Sequence, residues 1–473
     1  MSSRITRYWR TVLLPLKRGH DYLTAHPRLR LIGQFAALFA LFLVVSWRRL
    51  DPDFGWHLQS GRHIRAHGIP AHDIYTYTAP HFAWINHEWG NDVIASLLYG
   101  WGGYGLLAVL YAGLWSAALV VAGRRARFGV LLLAAAAVLP YAGVRPVAWT
   151  VLFLAVVFRV IWSSRRRLIW LLPLLFLPWA NLHAGFVIGL VIILYSAFYY
   201  RRWALVGVFV LATVLTFVNA YGPRLYVEIG RTLFDPSLHH QVSEWAPLTY
   251  ASLADVFIVV WGAGGVLFEG RRLWLWLRPS VPLVLASISA NRNLPLFVIA
   301  AVAECSRYVT AAAHELTHVG GKAVRNGIVV ASVLVLLATA YWARTQVWPP
   351  MNREAPYPEL AVAYLQAHPC SGQIFNDYNY GGYLIWKLPN VPVYIDGRMP
   401  SWKDEAGQKY MTRYYDLLRH PAQYHAEFER YSVGCALLSH SALNAAMITR
   451  LERDGWRPAV DVHNSVLLLA PAK

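Results

Sequence analysis

The sequence predicts an α-helical multi-span membrane bundle of about eleven transmembrane helices, followed by a small extracytoplasmic α/β domain. Three observations carry this expectation. Of the 473 residues, 57% are hydrophobic and only 14% are charged, which is more apolar side chain than a water-soluble domain can bury. Apolar runs of spanning length recur, and arginine clusters fall in alternate connections between them. After about residue 345 the spanning character stops, and short apolar strands alternate with helical patterns.

The first thirty residues carry Arg4, Arg7, Arg10, Lys17, Arg18, Arg28 and Arg30, and read as a basic cytoplasmic N-terminus. Leu31 to Trp47 is an apolar anchor. It ends in Ser46-Trp47-Arg48-Arg49, without the small residues of a cleavage site. Further spans are expected at 104–122, 128–143, 147–162, 168–180, 184–200, 203–219, 254–268, 279–290, 294–309 and 327–343. Basic clusters at Arg124, Arg125 and Arg127, Arg165 to Arg167, Arg201 and Arg202, Arg271 and Arg272, and Lys322 and Arg325 fall on the N-terminal side of the bilayer. These clusters account for most of the +18 net charge as topology signals, so the charge does not point to a nucleic-acid partner. An odd number of spans places the C-terminus outside.

Residues 31–344 therefore form a transmembrane module with two long outer loops, 48–92 and 220–253. Residues 345–473 form the outer domain, with strands expected at 373–376, 393–396, 434–438 and 465–469 and helices at 358–367, 404–418, 421–430 and 441–453. In that domain Asp396-Gly397-Arg398 reads as a tight turn, Gly381-Gly382 opens a helix, and the whole resembles a recognition module more than a second catalytic unit. Three cysteines and no C-x-x-C pair exclude a disulfide framework or zinc ribbon, although Cys370 and Cys435 lie outside the reducing cytoplasm, where a disulfide is permitted.

The outer loops collect the candidate chemistry. Asp51-Pro52-Asp53 follows the first span directly, and Trp56 to Ile64 suits a helix lying along the interface until Gly68-Ile69-Pro70 ends it. As structure alone, Asp51 and Asp53 cap a helix and fasten a turn. As chemistry, a carboxylate at this boundary accepts a proton from a hydroxyl or binds a divalent cation. Trp84-Ile85-Asn86-His87-Glu88-Trp89 then leads into a helix containing Asp92, and His87 and Glu88 either form an interfacial turn or join Asp53 around a metal such as Mg or Mn.

Arg145, His183 and Arg292 sit at outer ends of apolar runs, where a charge facing lipid costs about 2.5–3.5 kcal/mol. They are expected to face a cavity, and the two arginines suit the grip of an anionic phosphate; snorkelling to the interface, or a packed histidine at 183, is the plainer reading. Phe234 to Trp245 gathers His239, His240 and Glu244, either as an acceptor-side site or as a solvated loop. His314-Glu315-Leu316-Thr317-His318 matches the zinc-protease pattern H-E-x-x-H, but falls on the cytoplasmic side with no third ligand.

The run from Asp51-Pro52-Asp53-Phe54-Gly55-Trp56-His57-Leu58 to Asp73-Ile74-Tyr75-Thr76-Tyr77-Thr78, followed by Trp84 to Trp89, resembles the first outer loop of the GT-C superfamily of membrane glycosyltransferases, in particular a bacterial branch of multi-span proteins. Val144-Arg145-Pro146, Trp179-Ala180-Asn181-Leu182-His183-Ala184-Gly185-Phe186, Asn291-Arg292-Asn293-Leu294-Pro295-Leu296-Phe297, Tyr380 to Trp386 and Tyr394-Ile395-Asp396-Gly397-Arg398 extend the resemblance over most of the chain. It implies an enzyme of the bacterial cytoplasmic membrane that moves a sugar from a polyprenyl-phosphate donor to an extracytoplasmic acceptor, with inversion. It also implies that Asp53, with Asp51 second, is the base or metal ligand. The proline between the two acids departs from the adjacent acidic pair frequent in the superfamily, which leaves the choice of base open. The rival readings are a transporter or flippase for lipid-linked glycans, a non-catalytic assembly partner and, remotely, a protease using His314, Glu315 and His318.

Overall fold

The computed structural model describes residues 26–126, 128–248, 277–304 and 356–471. The expected spans at 254–268 and 327–343 and the motif from His314 to His318 lie outside the described residues.

Helix α1 (Pro27–Arg48) buries Gln34, Leu38, Phe42 and Val45, a single stripe at helical spacing, and leaves Ile32, Val44 and Trp47 exposed. Phe42 of that stripe stacks on Trp115, with ring centres 6.0 Å apart. Helix α2 (Phe54–His67) covers and extends the helix expected from Trp56 to Ile64. It lies against the start of α3 (Trp89–Ala122), whose 34 residues would reach about 50 Å if straight. A kink at Gly102-Gly103 divides α3, and Gly103 takes φ +61°, a torsion suited to glycine. The kink separates the turns from Trp89 onward from the apolar stretch that starts near residue 104.

The remaining apolar helices are shorter: α4 (Phe128–Val138), α5 (Val147–Ile161), α6 (Leu172–Leu182), α7 (Phe186–Tyr199), α8 (Ala204–Thr216) and, beyond the second outer loop with its α9 (Arg224–Leu233) and α10 (Leu238–Gln241), α11 (Ser280–Ser289). A further helical stretch, α12, runs from 294 to 304. Among the described residues only α1 and α3 have both the length and the apolarity to cross a bilayer alone, so the count of about eleven spans is not established. Proline is the physical reason for part of the shortening. Pro140 lies in a 3₁₀ turn after α4, Pro146 starts α5, and Pro178 interrupts the hydrogen-bond ladder of α6.

The outer domain contains α13 (Glu359–Ala367), β1 (Gln373–Asn376), α14 (Gly381–Lys387), α15 (Tyr410–Arg419), α16 (Tyr424–Arg430), β2 (Val433–Ser439), α17 (Ala445–Arg453), β3 (Arg457–Val462) and β4 (Ser465–Leu469). The sheet order is β1-β2-β4-β3, with β1 and β2 parallel and the other pairs antiparallel. Central β2 is buried on both faces and read clearly from its apolar run. Cys370 and Cys435 form the permitted disulfide, with Cα atoms 6.0 Å apart. Two expectations need correction. The segment 393–396 is not a strand but contributes isolated bridges at Val393, because the chain turns at once into Asp396. The edge strand β3 was missed, since Arg457, Pro458 and Asp461 obscure its pattern.

The outer domain is fastened to both outer loops. Val393 bridges Thr76 on one side and Ile374 on the other, and the Thr78 hydroxyl donates to the Tyr394 carbonyl at 2.7 Å. Arg398, its side chain only 2% exposed, pairs with Asp73 at 2.6 Å and with Asp396 at 2.6 and 2.8 Å, while its guanidinium lies over Trp84, Tyr75 and Trp402. Asp396-Gly397-Arg398 is thus a buried joint rather than a simple surface turn. The second loop docks through an ion pair from Lys409 to Asp235 and a hydrogen bond from the Tyr415 hydroxyl to the Gln241 carbonyl at 2.7 Å.

Replacing Arg398 by Met leaves Asp73 and Asp396 facing each other without a counter-charge. We expect a loss of about 3–5 kcal/mol, read as a lowered unfolding midpoint and faster proteolysis of the outer domain.

Candidate active site

The first group of residues grows from the turn after α1. The Asp53 N–H donates to Asp51 Oδ1 at 3.0 Å, so Asp51 does fasten the turn, as the plainer reading held. Asp53 stands at the N-terminal boundary of α2 but makes no capping hydrogen bond. Its carboxylate instead accepts from Trp56 Nε1 at 2.9 Å. Burial, reinforced by the neighbouring Asp51 charge, raises the Asp53 carboxyl to about 6.

Arg145, just ahead of α5, reaches Asp51 Oδ2 through Nε at 2.7 Å and Glu244 of the second outer loop through its Nη2. Three segments that are distant in sequence meet on this one guanidinium. Although burial alone would raise the Glu244 carboxyl, Arg145 and Arg292 hold it below the usual range. Arg292 stacks over Trp245 at 4.7 Å, beside that carboxylate. Of the remaining candidates in the second loop, His239 bonds the Trp245 carbonyl at 2.7 Å through Nδ1, and His240 is exposed.

A second group surrounds Glu88. His57 Nδ1 lies 2.6 Å from Asp92 Oδ1, which orients its Nε2 toward Glu88 at 3.5 Å. Asn86 donates to the other Asp92 oxygen at 2.7 Å and to Ser60 at 3.0 Å, while its own oxygen accepts the Glu88 N–H at 3.0 Å. His183 Nδ1 accepts the Gly185 N–H at 2.9 Å, and Thr150, whose oxygen accepts from Trp179, lies 2.8 Å away. The His183 proton therefore resides on Nε2, which points at Glu88 from 3.4 Å. His87 Nε2 is 3.8 Å from the same carboxylate.

Burial raises the Glu88 carboxyl to about 7 against the opposing charge of His57, and burial with Arg292 lowers His87 to about 4. For His57 burial opposes the charge, but Asp92 and Glu88 outweigh it and bring the imidazole up to about 9. Sequence reasoning gave His57 and Asp92 no role. Their pairing depends on α2 folding back along α3, and the single signal was an aspartate inside an otherwise apolar helix.

The His183 lone pair on Nδ1 is already engaged and its Nε2 carries hydrogen, so that face offers a donor and not a ligand. Among the described residues no three His, Cys, Asp or Glu side chains, Asp53, His87 and Glu88 included, are arranged to hold an ion. A groove of about 510 Å³, lined by Trp89, Leu177, Pro178, Asn181 and Val218 to Ala220, opens next to the Glu88 cluster. Its walls come from the start of α3 and the end of α6 rather than from Asp51 and Asp53.

The described residues combine a helical bundle, a helix just after its first long apolar helix and a small α/β domain in one fold. Solved structures of two proteins share it. ArnT from Cupriavidus metallidurans, bound to undecaprenyl phosphate, is 12% identical with a TM-score of 0.50, over 94% of this chain and 99% of ArnT. The archaeal oligosaccharyltransferase AglB from Archaeoglobus fulgidus, in complex with an inhibitory peptide and a dolichol-phosphate, is 12% identical with a TM-score of 0.56, over 86% of this chain and 69% of AglB. No protein-family model and no curated protein matches the chain.

The His57–Asp92 pair makes stability depend on pH. A histidine raised from 6.5 to about 9 contributes stability that is fully present below about pH 6.5 and lost as pH rises through 9. Thermal unfolding in detergent should show a midpoint that falls between pH 7 and 9.5. Asp92→Asn should lower the midpoint at pH 7 and flatten that fall; an unchanged slope in the variant would contradict the pairing.

Proposed function

We propose that this protein is a membrane glycosyltransferase of the GT-C type that moves a sugar from a polyprenyl-phosphate carrier to an extracytoplasmic acceptor, inverting the anomeric centre. The reading places it in the bacterial cytoplasmic membrane with its N-terminus inside. One observation carries it: Asp53 is a partly buried carboxylate, not consumed by capping, in the turn that Arg145 grips. The shared fold with two proteins solved with polyprenyl-type phosphates supports the choice of donor.

In this mechanism the acceptor group attacks the sugar carbon from the face opposite the phosphate. A carbon–oxygen bond to the carrier phosphate breaks, a new bond to the acceptor forms, and the acceptor proton passes to Asp53. The negative charge left on the carrier phosphate requires cations at the same depth. Arg292 supplies one, and Arg145 offers the nitrogen that neither Asp51 nor Glu244 engages. Asp51 holds the turn and orients Arg145. Glu88, within reach of two imidazole Nε2 atoms, is a fixed polar surface beside the groove at Trp89 and Asn181.

Purified protein given a polyprenyl-phosphate sugar should release polyprenyl phosphate, and Asp53→Asn should lower the rate by about 10²–10⁴-fold with expression intact. Carrier movement without release would instead identify a transporter. The pH profile has a set sign. Asp53 must be ionised to act, so kcat/KM should climb as pH rises through about 6 and level off above it.

A further inference from the structure

The outer domain touches the proposed base directly. A Cβ built on Gly397 would lie 1.8 Å from Asp53 Oδ1, 2.7 Å from its Cγ and 3.1 Å from Oδ2. The backbone of Gly397 is outside the left-handed region, so torsion does not demand glycine there; space does. The two preceding glycines show the same construction. A Cβ on Gly381 would strike the Ile395 carbonyl at 2.2 Å and Asp396 Cα at 2.7 Å, and one on Gly382 would strike the Pro52 carbonyl at 2.1 Å. The start of α14 is therefore wedged between the Ile395-Asp396 backbone and the Pro52-Asp53 turn. On the far side, Arg398 locks the same backbone to Asp73 of the first loop, and the Arg398 N–H donates to Asp396 Oδ1 at 2.9 Å.

We propose that the outer domain is a working part of the catalytic site, with Gly397 as a positioning residue whose bare backbone forms the wall that sets the Asp53 carboxylate. This rests on the reading of Asp53 as base. The carboxylate is held between two fixed features, the Trp56 indole N–H at 2.9 Å and the Gly397 backbone. Its oxygens are the mobile end of a short side chain, so a methyl group at 397 displaces them by more than about 1 Å rather than unfolding the domain. A misplacement of that size in a catalytic group costs about 10²-fold in rate. The acceptor hydroxyl then meets a base that is present but set back, which separates this effect from loss of donor binding.

The test is a rate cycle on the full-length protein with a polyprenyl-phosphate sugar. Gly397→Ala should lower kcat by about 10²-fold, with the donor KM within about twofold and the Cys370–Cys435 disulfide and thermal midpoint retained. In an Asp53→Asn background the same change should alter the residual rate by less than about threefold, because the group it displaces no longer acts. A wild-type kcat in Gly397→Ala while Asp53→Asn is inactive overturns this proposal alone, as does an equal loss in both backgrounds. A wild-type rate in Asp53→Asn overturns the base reading and this proposal with it. If Gly397→Ala fails to fold, adding Asp53→Ala removes the obstructing oxygens and should restore folded protein; no restoration overturns the proposal.

Discussion

A buried charge must be answered by a counter-charge, and in this protein the answer repeatedly comes from a different segment. Arg145 at the head of α5 joins Asp51 of the first outer loop to Glu244 of the second. Arg398 of the outer domain joins Asp73 of the first loop, and Lys409 joins Asp235 of the second. Removing a partner from such a pair leaves a charge that neither lipid nor packed protein accommodates cheaply. These pairs are therefore assembly constraints as much as chemistry: they bring two loops, a span and an α/β domain to one place.

The same constraint shapes the site. A carboxylate free of capping, a guanidinium shared by two acids and a second arginine over Trp245 lie in one outer region, with the Glu88 cluster beside the groove at Trp89 and Asn181. Two of the three imidazoles around Glu88 are oriented by their other nitrogen: His57 by Asp92, His183 by Gly185 and Thr150. Such fixed orientation avoids reorganisation when charge moves, the property a transfer reaction needs from its surroundings. The outer domain enters here through Gly397, whose backbone packs on the Asp53 carboxylate, a contact beyond the recognition role that its sequence suggested.

Much of this was legible in the amino-acid sequence. Asp51, Asp53, Arg145 and Arg292 stood out because ionisable residues at the ends of apolar runs have few reasons to be there. The first-loop motif named the fold that the comparison with solved structures supports. What stayed hidden depends on distance along the chain. The Arg145–Glu244 pair spans 99 residues and the His57–Asp92 pair 35, separations that no local pattern encodes. The count of spans is not established, since the described apolar helices near Pro140, Pro146 and Pro178 are shorter than a lone crossing requires. Edge strand β3 was masked by its solvent-facing Arg457 and Asp461. Gly397 reads as an ordinary turn residue, since its close contact is with Asp53, far away in the sequence.

The most direct measurement is an experimental structure of the protein with a polyprenyl-phosphate bound. The account predicts phosphate density within hydrogen-bonding distance of Arg292 and Arg145, on a line that leaves the sugar carbon between the phosphate and Asp53. Density for the head group at a site remote from both arginines, with Asp53 facing packed protein alone, would contradict it.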